Sequence, residues 1–340
     1  MAPSSIASQI HLYNPTFKKP NRSYLIYFIT GNPGLIEYYR VFLAHLYGLL
    51  TRDITSQTTF HVFGRSLSGF ETRKEEGDSP PFSLQEQIAR SHTALEDLVR
   101  NVRERDGVQD VRVILMGHSV GSYILLEIIR RARERAKDAG AEHARIVGGV
   151  CLFPTVTHIA KSDSGRKATP LLTLPSFALA ASVIAKALTF FVPISAFSFL
   201  VRSIMSFPPD AARVTAAFVK SPHGIHQALH MARDEMLQIT DDTWDAEIWG
   251  AAHDSPHPHP RPILRFLFAK KDHWVAEETR DELIRARGKK VEDEEERGWK
   301  PVMEVDEEEG WPHGFCIRHS IPVAETVDRY VREIIKEDEG

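Results

Sequence analysis

Ser119 stands in the sequence Gly117-His118-Ser119-Val120-Gly121, which has the Gly-x-Ser-x-Gly spacing of a serine nucleophile. Glycines two residues before and after a serine permit a cramped strand-to-helix turn that lifts the hydroxyl to the carboxyl edge of a sheet. A serine in such a turn is placed to attack an acyl carbon. Because the five-residue pattern also occurs by chance, the residues around it have to support this interpretation.

The flanking residues match the strand and the helix that such a turn requires. Residues 111–116 form a nearly continuous apolar run, which is typical of a parallel strand buried on both faces. After the turn, apolar residues recur at helical spacing: Ile124, Leu125, Ile128 and Ile129. The context therefore favours a nucleophile over a serine in an ordinary strand-to-helix turn.

A serine nucleophile needs a histidine base, and the histidine needs a carboxylate that holds its tautomer. In hydrolases with this turn, the acid and then the histidine follow the serine along the chain. The apolar run 263–268 leads into Asp272, which is where the acid is expected. Glu277 is a weaker substitute, and the alternative for Asp272 is a solvated side chain beside two lysines.

His313 is the predicted base. It lies between turn residues, just before a helix predicted for residues 323–335. His319 is six positions further on and His273 adjoins the acid, so the order along the chain leaves both as alternatives. His118 is a poor candidate, because its place in the turn points it away from the side of the serine where the base lies.

An oxyanion hole requires backbone N–H groups that face the negative charge developing on the substrate. Val120 supplies one N–H by its position after the serine. The other is expected in the residues that follow an early apolar strand, Gly31-Asn32-Pro33-Gly34. Because Pro33 has no N–H, Asn32 is the predicted second donor. The alternative for these four residues is a plain turn.

Strand-like and helix-like runs alternate along the chain, which predicts an α/β fold of the α/β-hydrolase type. Its mostly parallel sheet should carry helices on both faces. The predicted division is an N-terminal core half at 1–153, a helical cap inserted at 154–262, and the rest of the core at 263–340. The predicted strands are residues 24–30, 60–63, 111–116, 147–153 and 263–268, and the predicted helices include 37–50, 84–105 and 323–335.

The composition narrows the class of protein. At 340 residues with 42% hydrophobic residues, the chain can bury one large core. A net charge of −4 with both signs interspersed gives no basic surface for nucleic acid. Cys151 and Cys316 are predicted to be reduced, as in a cytosolic protein. Residues 1–20 lack the basic start and apolar run of a secretory signal, so we expect the protein to face the cytosol.

Two polar segments contain the side-chain types that bind metal ions. His253, His257 and His259 lie in a proline-rich segment without a recognisable ligand spacing, and we interpret them as loop. Acidic blocks at 292–296 and 307–309 belong to a charged region, residues 277–309, that we interpret as solvated loop without a catalytic role. The blocks lack the alternating oxygen ligands of a calcium-binding loop. We therefore predict neither a metal nor an organic cofactor.

The predicted cap contains an unusually apolar stretch, residues 171–205, whose only charged residues are Lys186 and Arg202. A membrane-spanning helix needs about 20 predominantly apolar residues, and the prolines at 170, 175 and 193 should break this stretch into shorter helices. Such helices either lie in a membrane interface or form a lid buried over the active site. The sequence leaves these two alternatives open.

Four parts of the sequence carry a family resemblance: residues 30–34 with 37–39, 117–123, 152–155 and 312–315. In these parts, and over most of its length, the chain resembles the lipid droplet-associated hydrolase family of α/β-hydrolases. It implies that Ser119, Asp272 and His313 form a catalytic triad, which favours His313 over His319. This chain has Lys161-Ser162-Asp163-Ser164-Gly165 where the family commonly has Ser-Pro-Asn-Gly, and its acidic insert before His313 is longer.

The resemblance also implies a function. It suggests a serine hydrolase on the cytosolic face of lipid droplets and the endoplasmic reticulum, acting on neutral lipid esters such as sterol esters. Residues 171–205 would contact the droplet monolayer or the reticulum membrane. One alternative is a droplet-surface organiser or tether with weak or no hydrolase activity, because a fold alone does not fix a function. Another is acyl transfer to an alcohol instead of water.

Overall fold

The computed structural model describes residues 6–14, 20–52, 58–72, 79–135, 144–249, 260–289 and 300–339. Its strands are β1 (Gln9–Tyr13), β2 (Arg22–Ile29), β3 (Thr58–Arg65), β4 (Val111–His118), β5 (Arg145–Leu152), β6 (Ile263–Ala269) and β7 (Val302–Asp306). They form one sheet in the order β1-β3-β2-β4-β5-β6-β7. Strand β1 is antiparallel to β3, and every other pairing is parallel.

Helices cover both faces of this sheet. They are α1 (Arg40–Leu50), α2 (Leu84–Asp106), α3 (Val120–Arg135), α4 (Asp163–Leu172), α5 (Phe177–Thr189), α6 (Ile194–Met205), α7 (Pro209–Lys220), α8 (Gly224–Gln238), α9 (Ala246–Trp249), α10 (Glu277–Arg287) and α11 (Ser320–Glu339). Apolar side chains of α2 and α3 pack on one face, and those of α1 and α11 on the other. Every residue of β4 is therefore buried, which explains its nearly continuous apolar sequence. The predicted parallel sheet between helical layers is confirmed.

The two edge strands, β1 and β7, were not predicted from the sequence. Residues 277–309 are not all solvated loop, because this region contains α10 and β7. Four of the five β7 side chains are only partly buried, so the strand lacks the apolar run by which a buried strand is recognised. The acidic block 292–296 and the histidines His253, His257 and His259 lie outside the described residues.

Helices α4 to α9 lie between β5 and β6 in the chain. Pro175 separates α4 from α5 and Pro193 directly precedes α6, so these two prolines divide the apolar stretch as predicted. The prediction for Pro170 is wrong, because this residue lies inside α4. In the described part of the chain, no single helix is long and apolar enough to cross a bilayer. Helices α4 and α5 reach that length and hydropathy only as a pair, and the pair is bent by 93°.

Candidate active site

Ser119 lies in the turn between β4 and α3. Its backbone has a φ of 56°, an uncommon conformation for a residue with a side chain. Hydrogen bonds hold this strained turn: the Ser119 N–H donates to the Leu152 carbonyl at 3.0 Å, and the Ser119 carbonyl accepts from the Ser122 N–H at 2.9 Å. Strain of this kind is expected of a nucleophile at a strand-to-helix turn.

Gly117 and Gly121 are required by close packing around this turn. A Cβ on Gly121 would lie 2.4 Å from the carbonyl oxygen of Ile29, and a Cβ on Gly117 would lie 2.3 Å from the carbonyl oxygen of Gly121. At either position the backbone would have to move to accommodate a side chain. The start of α3 therefore lies directly against the end of β2, the strand that leads into residues 31–34, here called the oxyanion loop.

The structure brings together the three residues predicted as nucleophile, base and acid. Ser119 Oγ is 2.9 Å from His313 Nε2, and His313 Nδ1 is 2.7 Å from Asp272 Oδ2. With the proton of His313 on Nδ1, the serine hydroxyl donates to Nε2 and Nδ1–H donates to the carboxylate. Ser119 and His313 are buried, and the Asp272 side chain is 4% exposed. This arrangement can transfer a proton from the serine to the histidine.

The environment of Asp272 keeps it ionised. Burial by itself would raise the pKa of Asp272, but the neighbouring His313 and the hydrogen bonds from His313 and the Trp274 N–H outweigh it and hold the pKa below its ordinary value. The Trp274 N–H donates to Asp272 Oδ1 at 2.8 Å. Asp272 is therefore a buried acceptor beside the base, and the alternative of a solvated surface side chain is wrong.

The loop that carries His313 is held from two directions. At the end of β7, the Asp306 carboxylate accepts hydrogen bonds from the backbone N–H groups of Glu309 at 2.9 Å and Trp311 at 2.6 Å. Beyond His313, the fully buried Phe315 anchors the chain in the core. Sequence reasoning missed Asp306 because it lies in a charged region. The visible signal was an aspartate shortly before a turn that contains the base.

The residues predicted as oxyanion donors lie at the ends of adjacent elements. Val120 is the first residue of α3, directly after Ser119. Asn32 lines the same cavity as His313, in the loop after β2. The neighbouring Gly31 N–H donates to Tyr39 Oη at 3.2 Å, so that group is engaged within the protein.

Asn32 also connects the oxyanion loop to the helices between β5 and β6. Its side-chain amide donates to the Ala228 carbonyl and to Glu235 Oε1, each at 2.9 Å, and both partners lie on α8. Burial, aided by the charge of Asp234 and opposed by the Asn32 hydrogen bond, raises the pKa of Glu235 to about 8. At neutral pH Glu235 is therefore mainly protonated. Sequence reasoning missed this contact because it joins residues 203 positions apart.

The raised pKa of Glu235 predicts a pH-dependent stability. Because the folded state binds this proton more tightly than the unfolded state does, Glu235 contributes stability at pH below about 4.5 that is lost as the pH rises to about 8. Glu235→Gln retains an acceptor for Asn32 and cannot ionise. We expect its free energy of unfolding to exceed that of the wild type above pH 8 by an amount on the order of a few kcal/mol, and this gain to shrink toward pH 5.

Urea unfolding of the variant and the wild type from pH 5 to 9 measures this difference in free energy. The exposed Glu278→Gln is the control. Parallel curves for Glu235→Gln and the wild type would contradict the prediction.

A cavity of about 610 Å³ opens beside His313. Its polar lining includes Asn32, His118 and His313. Most of the remaining wall is apolar, with Met205, Phe207, Phe218, Val219, Trp274 and Ile317 among the lining residues. Met205 ends α6 and is half exposed, so the cavity reaches the apolar helices. This volume and lining suit the hydrocarbon part of a small lipid.

Solved structures with the same architecture are α/β-hydrolases. A peroxisomal α/β-hydrolase from Saccharomyces cerevisiae aligns with a TM-score of 0.57 and 10% identity over 93% of this chain and 78% of its own. A soluble variant of monoglyceride lipase from the same yeast, in complex with a substrate analog, aligns with a TM-score of 0.50 and 10% identity over 96% and 92% of the two chains. At these identities the likeness shows the fold alone, and it confirms the α/β-hydrolase fold.

Sequence comparison identifies the family. Lipid droplet-associated hydrolases are 30% identical over 224 residues in Gallus gallus, 26% over 258 residues in Mus musculus, and 23% over 304 residues in Dictyostelium discoideum. These matches cover 64%, 74% and 89% of this chain, and 63%, 70% and 86% of the three relatives. A family model described as lipid-droplet associated hydrolase matches residues 22–316. The chain therefore belongs to the lipid droplet-associated hydrolase family.

Proposed function

We propose that this protein is a serine esterase that hydrolyses carboxylic esters of neutral lipids. The observation that carries the proposal is the hydrogen-bonded series Ser119, His313 and Asp272 beside an apolar cavity. Membership of a hydrolase family supports hydrolysis, and the apolar wall supports a lipid acyl chain as the bound group. Sterol esters are the neutral lipid esters that we propose first.

In the proposed acylation step, Ser119 Oγ attacks the ester carbonyl while His313 Nε2 takes the serine proton. The backbone N–H groups of Val120 and Asn32 stabilise the negative oxygen of the tetrahedral intermediate. When this intermediate collapses, His313 gives its proton to the leaving alcohol and the acyl group remains on Ser119. Asp272 keeps the histidine oriented and stabilises its positive charge.

In the proposed deacylation step, water takes the place of the alcohol. His313 removes a proton from the water as it attacks the acyl-enzyme, and it returns that proton to Ser119 Oγ when the carboxylic acid leaves. Atoms, protons and charge all balance in these two steps without any other reactant. The same residues would support transfer of the acyl group to an alcohol, and product analysis with competing alcohols distinguishes the two reactions.

A surface beside the cavity supports action at a lipid interface. Of the 17 exposed large apolar side chains in the described residues, 13 lie between Leu171 and Met205, and we call this set the apolar face. Phe190 is 74% exposed and Phe191 is 90% exposed. Exposed apolar side chains concentrated in one segment are typical of a surface that contacts a membrane or a partner. We propose that the apolar face lies on the monolayer of a lipid droplet or on the cytosolic face of the endoplasmic reticulum.

Replacing both phenylalanines should weaken this attachment. Because a fully buried phenylalanine contributes about 1.5–3 kcal/mol and an interface buries it only partly, Phe190→Ser with Phe191→Ser should lower the partition coefficient for droplets by about 100-fold. Flotation with phospholipid-coated triacylglycerol droplets measures the partition. Val41→Ser with Ile321→Ser is the matched control, because these residues are half exposed outside the apolar face. Equal loss in both double variants would contradict the prediction.

The experiment that tests the proposed function is a lipid-ester screen. The purified protein is incubated with emulsions of sterol esters, triacylglycerols and monoacylglycerols, and released fatty acid is measured against a Ser119→Ala blank. We expect release from at least one neutral lipid ester that depends on Ser119. Wild-type release no greater than that of the blank on all three substrates would refute the esterase proposal.

The apolar face also supports a second candidate function, a droplet-surface organiser. This function would need the exposed side chains between Leu171 and Met205 and would not need Ser119. If droplet targeting and cellular lipid phenotypes survive Ser119→Ala but are lost with the Phe190 and Phe191 substitutions, the organiser is favoured. Loss of the phenotype with Ser119→Ala while targeting persists favours the esterase.

A further inference from the structure

His118 precedes the proposed nucleophile, yet it takes no part in the proton transfer described above. Its side chain is buried, with 5% exposed. The ring packs edge-on against Phe315, with centroids 5.2 Å apart, and against Phe153 at 6.2 Å. A buried imidazole in an aromatic pocket needs polar partners for both ring nitrogens. Both partners are present: the hydroxyl of Tyr39, the last residue of the 3₁₀ helix Ile36–Tyr39, and the backbone carbonyl of His313.

Hydrogen bonds through His118 connect the oxyanion loop to the loop that carries the base. The Gly31 N–H donates to Tyr39 Oη at 3.2 Å, and Tyr39 Oη is 2.7 Å from His118 Nδ1. On the other side of the ring, His118 Nε2 is 2.8 Å from the His313 carbonyl oxygen. A carbonyl can only accept, so the proton of His118 lies on Nε2 and Nδ1 accepts from the Tyr39 hydroxyl. Every group in the series thus has one defined role.

This series requires a neutral histidine and a protonated tyrosine. Burial, together with the nearby His313, lowers the pKa of His118 to about 3, so the ring stays neutral at physiological pH. Burial likewise raises the pKa of Tyr39 well above its ordinary value, which keeps its hydroxyl a donor. A charged His118 could not accept from Tyr39. The arrangement is therefore stable in one tautomer.

We propose that His118 and Tyr39 are positioning residues that fix the oxyanion loop and the base loop relative to Ser119. The proposal rests on the proposed function, because it concerns how that same site is held. Ser119 adjoins His118 in the chain, Gly31 adjoins Asn32, and the acceptor at the far end is the backbone of His313 itself. One buried ring thus relates the nucleophile, a predicted oxyanion donor and the base. A displacement of about 1 Å in such a site can cost about 10²-fold in rate.

The variants separate positioning from packing. His118→Leu removes both hydrogen bonds, and His118→Gln restores a donor near the Nε2 position. Tyr39→Phe removes only the hydroxyl that joins Gly31 to His118. Tyr27→Phe is the matched control, because the Tyr27 hydroxyl is also buried and donates to a carbonyl, that of Ser91 at 3.1 Å, outside the site. Thermal unfolding of each variant reports its loss of stability.

The rate of labelling by a fluorophosphonate probe tests the proposal without a lipid substrate. We expect about a 10-fold slower rate for Tyr39→Phe and about a 100-fold slower rate for His118→Leu, with partial recovery in His118→Gln. The double variant of Tyr39→Phe with His118→Leu should match His118→Leu, since both act through one series. With p-nitrophenyl butyrate, kcat should fall by the same factors at unchanged KM.

A spectroscopic measurement reads the same positioning independently of activity. In wild type and His118→Gln, the proton shared by His313 Nδ1 and Asp272 should give a sharp low-field NMR signal, which His118→Leu should broaden or shift. Wild-type labelling rates and an unchanged signal in folded His118→Leu and Tyr39→Phe would overturn the proposal, as would an equal loss in Tyr27→Phe. A wild type that is never labelled would refute the esterase, while the NMR comparison would still decide the positioning.

Discussion

Ser119→Ala is expected to abolish covalent labelling by a fluorophosphonate probe and to lower ester hydrolysis by about 10⁶-fold. The probe bonds to an activated serine oxygen, and Ser119 Oγ is the one held 2.9 Å from His313 Nε2. Without that oxygen no acyl-enzyme forms, so only the oxyanion donors and substrate binding would contribute to the rate. Gel-based labelling and fatty-acid release measure the two losses.

Ser122→Ala is the matched control for this prediction. Ser122 lies one turn further along the chain, is fully buried, and donates from its hydroxyl to the Gly117 carbonyl at 2.9 Å. Its replacement removes a buried serine hydroxyl from the same turn without touching His313. We expect Ser122→Ala to remain labelled. Labelling of a folded Ser119→Ala at the wild-type level would exclude Ser119 as the nucleophile.

Asp272→Asn is expected to lower kcat by about 10⁴-fold while leaving the fold intact. An asparagine amide can donate to His313 Nδ1, which places the imidazole proton on Nε2. The protonated Nε2 then faces Ser119 and cannot accept the serine proton. The positions of the three side chains are kept, but the His313 imidazole is held in the tautomer that cannot act as a base. Steady-state hydrolysis of p-nitrophenyl butyrate measures the loss, and circular dichroism verifies the fold.

Glu277→Gln is the control for the acid. Glu277 was the weaker substitute in the sequence, and it is an exposed residue at the first position of α10. Its replacement should change kcat by no more than about twofold, because exposed surface charges contribute little. If Glu277→Gln lost the activity that Asp272→Asn retained, the proposed roles of the two acids would have to be exchanged.

The proposed triad could be predicted from sequence because each member lies next to a recognisable element: Ser119 and Asp272 after an apolar strand, and His313 before the C-terminal helix. Ser119 and Asp272 come after buried strands whose apolar runs are visible, and their order along the chain is fixed by the fold. Order alone did not separate His313 from His319. In the structure, His313 forms hydrogen bonds with both Ser119 and Asp272. His319 lies beyond the 3₁₀ helix Phe315–Ile317.

The residues that hold the triad could not be predicted from local patterns. Asp306 ends an edge strand with little apolar signal, and its role depends on loops that fold back onto it. The His118 contacts join residues 79 and 195 positions away. The Glu235 contact requires α8 to pack over the oxyanion loop. Such long-range hydrogen bonds leave no periodicity in the sequence, so they appear only once the chain is folded.

Two of the helices between β5 and β6 are attached to the rest of the protein in different ways. Helix α8 is attached through buried side chains, with Gln227 bonded to both backbone groups of Phe82 and Asp234 accepting from the Leu84 N–H. The end of α6 is bridged by the exposed Arg318, which donates to the Ser206 carbonyl at 2.5 Å. Exposed bonds exchange with water at little cost, whereas buried bonds do not. The Asn32 side of the cavity is therefore backed by a helix whose bonds to the core are shielded from water, whereas the Met205 side includes a bond that water can replace.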